Sequence, residues 1–243
     1  MKFFKIYNTN SQKVFEILGI KLKIKLHFNN FIEKGNSVTI SKKVNKSKLK
    51  LCIRGKNNKV IINDCGIAEE LSISMYAENS TLEIGKDSIF RSLKIIMGVD
   101  NCNAGLLKNH KMVIGERVSI EGAYIAANCG NTELTIGDDC MFSNEITILN
   151  ADSHPIYKKG TKEIVNRSYD LHIGNHCWLG KNVTILKNSI LPDNTIVGCG
   201  SVVTGKFNES NCAIAGNPAK VIKNNLAWHM CGVGDYIENE IEV

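Results

Sequence analysis

The sequence predicts an all-β solenoid, a parallel β-helix of about seven coils. Two observations carry that prediction. The first is a six-residue period between Leu171 and Phe207, in which Ile173, Leu179, Ile185, Leu191, Val197 and Val203 form one aliphatic column. Three positions on stand His176, Asn182, Asn188, Asn194, Gly200 and Lys206, mostly residues that tolerate a left-handed backbone at a corner. Then come Cys177, Val183, Ser189, Thr195 and Ser201, small or β-branched. A period of six fits neither a helix nor a half-buried strand; it fits short flat strands meeting at tight corners around a narrow core.

The second observation is a recurring phrase, aliphatic-x-Ile-Gly. It ends at Gly85, Gly115, Gly137 and Gly174, with weaker echoes at Ile40 and Ile62. Taking each isoleucine as the start of a coil, with Leu191 starting the last, gives steps of 22, 22, 30, 22, 37 and 18 residues. Three hexads take about 18 residues, so most coils carry a small corner insertion. Two carry real loops, near 98–111 and 150–170. Long loops on a rigid solenoid are where binding and chemistry usually sit.

Three regions follow. Residues 1–37 form an N-terminal β segment expected to pack on the solenoid. From Ile20 it alternates, with Ile20, Leu22, Ile24, Leu26 and Phe28 on one face and Lys21, Lys23, Lys25 and His27 on the other. That basic face is either solvated or turned to anionic lipid, a peripheral membrane contact. Residues 38–207 form the β-helix. Residues 208–243 read as an extended stretch and a capping helix from about Pro218, since Pro is favoured at the first helical position and Val221, Ile222, Leu226 and Trp228 give an imperfect apolar side.

Composition narrows the partners. A net charge of +6 favours an anionic partner: a nucleotide cofactor, an acidic glycan or an anionic membrane face. Nucleic acid is not expected, because the lysines are not interleaved with a stacking aromatic platform. The 9 cysteines contain no CxxC, their number is odd and no secretory apolar stretch opens the chain. They read as thiols in a reducing cytoplasm, with Cys140 and Cys177 buried in the small corner column. No run approaches the roughly 18 apolar residues of a membrane span.

The run IGNHCWLGKNVTILKNSILPDNTIVGCGSVVTGKF, followed by AGNPAKVIK, resembles the hexapeptide-repeat acyltransferases. With DSHPIY at Asp152–Tyr157, HCWLG and the later Trp228, the similarity is greatest to the branch that O-acetylates bacterial capsule and lipopolysaccharide sugars, polysialic acid O-acetyltransferases among them. It covers roughly Thr135 to Trp228 well and the N-terminal third poorly. The resemblance implies a left-handed β-helix, acetyl-CoA as acyl donor, a glycan acceptor, no metal, and a homotrimer with the acyl site between neighbouring chains. It places Trp178 beside the thioester, Lys181, Cys199, Thr204 and Gly205 along the pantetheine arm, and Lys220 and Lys223 at the phosphates. The chain departs from the family where a lysine is common and Gly205 stands; Lys206 is adjacent.

Acyl transfer from a thioester to a sugar hydroxyl needs a base for the hydroxyl proton. His154 has the best setting: it lies in a loop, Pro155 biases it towards an extended backbone, and Asp152 is two residues away to orient the ring. Without the family motif, the pair reads equally as a surface histidine and an Asx-turn aspartate. His110 is the reserve base, while His172 and His176 flank a corner and read as structural. The competing functions are an acetyltransferase for a small acceptor (nucleotide sugar, amino acid or xenobiotic) and, remotely, a zinc lyase of the γ carbonic anhydrase type. The lyase needs three converging histidines, and His172 with His176 lacks the spacing and a third partner.

Overall fold

The aliphatic column is shared among three walls of the solenoid: Ile173 and Leu191 on one, Leu179 and Val197 on the next, Ile185 and Val203 on the third. A computed structural model describes residues 30–99 and 107–238, together with the backbone of three N-terminal strands, Phe4–Thr9, Gln12–Ile17 and Ile20–Ile24. Its first face is a seven-stranded parallel sheet, Ser37–Ile40, Lys59–Ile62, Thr81–Ile84, Lys111–Ile114, Glu133–Ile136, Leu171–Ile173 and Ile190–Leu191. The coil starts stand in register: Ile62 lies beside Ile40 and Ile84, Ile114 beside Ile84 and Ile136, and Ile173 beside Ile136 and Leu191.

The second and third faces merge in the early coils, where Cys65–Glu78, Ser88–Met97 and Ser119–Ala127 run through a corner unbroken. Later they separate. Met141–Phe142, Trp178–Leu179 and Ile196–Val197 stack on the second face, and Ile146–Leu149, Thr184–Ile185 and Val202–Val203 on the third. Each two-residue strand among them sends one apolar side chain into a continuous core, and Ile146–Leu149 sends two. The corner column is left-handed as expected, with φ of 51° at His176, 59° at Asn182, 64° at Asn188 and 59° at Asn194. Cys140 and Cys177 are buried free thiols.

The recurring Ile-Gly has a steric cause. A Cβ on Gly85 would lie 2.4 Å from the Gly115 carbonyl oxygen, and one on Gly115 2.6 Å from the Gly137 carbonyl carbon. One on Gly137 would lie 2.7 Å from the Gly174 carbonyl carbon. At these three corners the coil turns against the backbone of the next, and only glycine leaves room.

The C-terminal expectation needs correcting. No helix begins at Pro218. Cys212–Gly216 and Ala219–Asn224 form an antiparallel hairpin turning at Asn217–Pro218, and Ala213 and Ile214 pair with Ile196 and Val197. The open edge of the second face needs partners for its backbone groups, and strand pairing supplies them where a helix would not. Val221 and Ile222 remain exposed, and the helix of this region is short, Val233–Glu238.

The N-terminal strands form an antiparallel sheet with Ile20–Ile24 at one edge. The lysine face expected there lies outside the described side chains, as do residues 100–106 of the first loop. Among the described residues no helix is long and apolar enough to cross a membrane.

Candidate active site

The arm 150–170 leaves the third face after Leu149 and returns to the first face at Leu171. Its root is pinned by Asn150, which is fully buried. The Asn150 side-chain oxygen accepts the Asn128 N–H at 2.8 Å and the Cys129 N–H at 3.3 Å, and its amide donates to Thr132 Oγ1 at 3.2 Å. Beyond the root the chain turns sharply, with Ser153 at φ 66°, and the His154 N–H donates to the Asp152 carbonyl at 2.8 Å.

Asn166, on the returning limb, closes this turn. Its amide donates to the His154 carbonyl and to Asp152 Oδ2, each at 2.8 Å, and its oxygen accepts the Ile156 N–H at 2.8 Å. Lys187, from the corner of the next coil, donates to the Asp152 carboxylate and, at 2.8 Å, to the Asn166 carbonyl. Lys187 and then Asn166 hold the Asp152 carboxyl below the usual carboxylate range. The carboxylate is thus committed to Lys187 and Asn166, while the exposed His154 ring makes no hydrogen bond among the described residues. Asp152 meets His154 through the backbone of the turn. The imidazole lines a cleft of about 520 Å³ between the arm and the corner 128–132.

His110 is placed differently from a loop base. It is 1% exposed, its Nδ1 lies 2.9 Å from Thr132 Oγ1 and its Nε2 is buried without a partner. Burial pushes its pKa down to about 4. It is a core histidine packed behind Thr132, which lines the cleft where His110 does not. His172 and His176 are structural: their Nδ1 atoms contact Thr135 Oγ1 at 2.7 Å and Asn194 Oδ1 at 2.9 Å.

Trp178 opens a strand of the second face. Trp228 lies 5.9 Å from it between ring centroids, stacks on His176 at 4.2 Å and donates its indole N–H to the His176 carbonyl at 2.9 Å. The Trp178 indole nitrogen is buried with no partner. The two tryptophans, Met141 and Met230 line a cavity of about 480 Å³, distinct from the cleft of His154. The arm sits at the corner between third and first faces, and Trp178 lies past the corner between first and second. A full face separates them, so one chain does not bring the two together.

The expected donor-binding residues run along the last two coils. Lys181 and Cys199 share a corner, where the Gly200 N–H donates to the Lys181 carbonyl at 2.9 Å, and Cys199 is exposed. Thr204 and Gly205 occupy the following corner, on which the Ile190 N–H bonds the Gly205 carbonyl at 3.3 Å. Added Cβ atoms at Gly200 and Gly205 would meet nothing within 4 Å, leaving backbone open to a ligand. Lys220 and Lys223 are exposed on the terminal hairpin. The clamp of Lys187 and Asn166 is the part of the site that sequence reasoning missed; no motif marks either residue.

The family model for the bacterial transferase hexapeptide (six repeats) matches residues 170–205. A polysialic acid O-acetyltransferase of Neisseria meningitidis is 37% identical over 194 residues, covering 79% of this chain and 85% of that protein. One of Escherichia coli O1:K1 / APEC is 34% identical over 133 residues, 55% of this chain; the chain spans 43% of its length. The crystal structure of the polysialic-acid-specific acetyltransferase NeuO superposes with a TM-score of 0.69 at 27% identity, covering 87% of this chain and 94% of that one. That of the polysialic acid O-acetyltransferase OatWY gives 0.60 at 30%, covering 84% and 95%. The shared architecture is a left-handed parallel β-helix. The chain belongs to the hexapeptide-repeat acyltransferases, in one family with these polysialic acid O-acetyltransferases.

Proposed function

We propose that this protein transfers an acetyl group from acetyl-CoA to a sugar hydroxyl of a bacterial cell-surface polysaccharide, of the capsule type its relatives are named for, on the cytoplasmic side. One observation carries the reading: His154 is held by its backbone on a clamped turn while its ring stands free in an open cleft. A base needs this, a fixed position with an unengaged nitrogen.

His154 takes the proton of the sugar hydroxyl as the oxygen forms the new ester bond. The carbon–sulfur bond of the donor breaks, and the proton passes from the imidazolium to the departing thiolate, giving free coenzyme A. Asp152 orients His154 through the turn. Trp178 shapes the acyl site with its unpaired indole N–H, and Lys181, Cys199, Thr204 and Gly205 offer corner backbone to the pantetheine arm. Lys220 and Lys223 meet the phosphates, a reading supported by their exposure. That His154 and Trp178 line separate cavities supports a working homotrimer in which one chain's arm faces its neighbour's Trp178. Exposed Ile156, Tyr157 and Val165 give the arm an apolar surface for that contact.

The test is turnover with acetyl-CoA and sialic acid oligomers, following thiol release and ester formation, with monomeric sugars as competing acceptors. His154→Ala should lose about 10²–10⁴-fold in kcat with the melting temperature unchanged. Retention of more than about a tenth of turnover would place the base elsewhere.

A further inference from the structure

The cleft of His154 holds a feature that proton transfer does not use. Two charged side chains line it, Asp152 and Arg167. Asp152 is neutralised by Lys187. Arg167 is not compensated: it is exposed, and its guanidinium has no ion pair or hydrogen bond among the described residues. Only its backbone is engaged, the Arg167 carbonyl accepting from Asn188 Nδ2 at 3.3 Å. The same Asn188 accepts the Tyr169 N–H at 2.6 Å, so one corner residue fixes the limb that bears both Arg167 and the exposed Tyr169. On the facing wall, Asn128 Oδ1 is buried without a partner, while its amide reaches Ser153 Oγ at 3.4 Å.

The geometry points to Arg167 as the specificity-determining residue of this cleft, the group that pairs with the carboxylate of an acidic acceptor such as the polysialic acid for which the relatives are named. The inference rests on the general-base reading of His154, which puts the acceptor in this cleft. A guanidinium fork matches a carboxylate in bidentate fashion and remains charged at any working pH. Tyr169 offers a ring on which an apolar sugar face can rest. The volume of about 520 Å³ lies within the range of about 300–1,000 Å³ usual for small-ligand sites. Lys187 acts here as well: without it the Asp152 carboxylate would repel the acid it faces.

Binding to the inactive His154→Ala chain separates this inference from catalysis. Sialic acid oligomers should bind that chain, and the double variant with Arg167→Gln should bind them about 10-fold or more weakly. Arg167→Lys should recover part of the loss, since it restores charge without the fork. Neutral galactose oligomers should bind weakly and without regard to position 167. In the active chain, Arg167→Gln should raise KM for the acidic acceptor and leave KM for acetyl-CoA unchanged. Equal affinity with and without Arg167, neutral oligomers bound as tightly as acidic ones, or no binding of the acidic oligomers would each overturn the subsite. Turnover surviving in His154→Ala sinks the general-base reading instead, and the binding result stands apart from it.

Discussion

Lys187 forms an ion pair with Asp152 across the gap between the arm and the coil beneath it. It is the tie between rigid solenoid and loop at this turn, and Asn166 completes it from the returning limb.

Lys187→Met keeps the apolar stem and removes the ammonium. Displacing a base by a fraction of an ångström is costly, so kcat should fall about 10- to 100-fold with KM for acetyl-CoA nearly unchanged. Lys187→Arg should retain most activity. Amide exchange at His154 and Ile156, whose N–H groups bond inside the clamp, should quicken in the methionine variant only. The Asp152 carboxyl is depressed in the folded state, so the tie is fully present above the ordinary carboxyl pKa of about 3.9 and fades as pH falls through the lower folded value. A methionine variant with wild-type kcat would remove Lys187 from the site.

His110 makes a separate pH prediction. Its folded-state value is about 4 against 6.5, so between those limits the unfolded chain binds a proton that the folded chain refuses. Stability is therefore retained above about pH 6.5 and lost as pH falls towards 4, by at most about 3 kcal/mol. His110→Gln should flatten the change in urea midpoint between pH 7 and pH 4.5. It should also lower stability at pH 7, where the contact to Thr132 is disturbed. An unaltered pH slope would refute the assignment of that slope to His110.

The corner glycines divide into two kinds. Gly137→Ala forces a Cβ to 2.5 Å from Asn175 Oδ1 and 2.7 Å from the Asn175 nitrogen, and should destabilise by about 1–3 kcal/mol. At Gly205 an added Cβ meets nothing within 4 Å. Gly205→Ala should leave the melting temperature in place and raise KM for acetyl-CoA, where the methyl crowds the donor's path. Thermal melts and donor kinetics on the two variants decide both points.

The repeat was legible because the strand of each coil's first face ends on an inward aliphatic residue and the tightest first corners admit only glycine; Ile84–Gly85, Ile114–Gly115 and Ile136–Gly137 state both demands. His154 and Trp178 were legible as motif residues, but not the face that separates them. The clamp was not legible: Lys187 and Asn166 sit 35 and 14 residues from Asp152, and a corner lysine looks alike whether it meets solvent or a loop. The burial of His110 was not legible because the insertion before it hides its register, which matches Thr132 in the next coil. Pro218 and the loose spacing of Val221, Ile222 and Leu226 permit a helix where the chain forms the hairpin after Cys212. The unpaired edge at Ile196–Val197 decides otherwise, and local spacing does not contain it.

Separation of His154 and Trp178 leads to the last prediction. If each site joins the arm of one chain to the Trp178 of another, two inactive variants should repair one another. His154→Ala and Trp178→Ala would each be nearly inactive alone. Assembled together at random from equal amounts, half the arms carry an intact His154 and half the facing walls an intact Trp178. About a quarter of the sites then combine both, and about a quarter of wild-type turnover should return. Light scattering should find three times the chain mass of 26.9 kDa. The variants must be mixed under conditions that allow chains to exchange, with intact wild-type trimer as the control for recovery. A mixture no more active than its components, in trimers shown to be mixed by differential tagging, would mean that each chain completes its own site. The arm would then have to fold across its own first face to reach Trp178, and the exposed Ile156, Tyr157 and Val165 would pack there instead of on a neighbour.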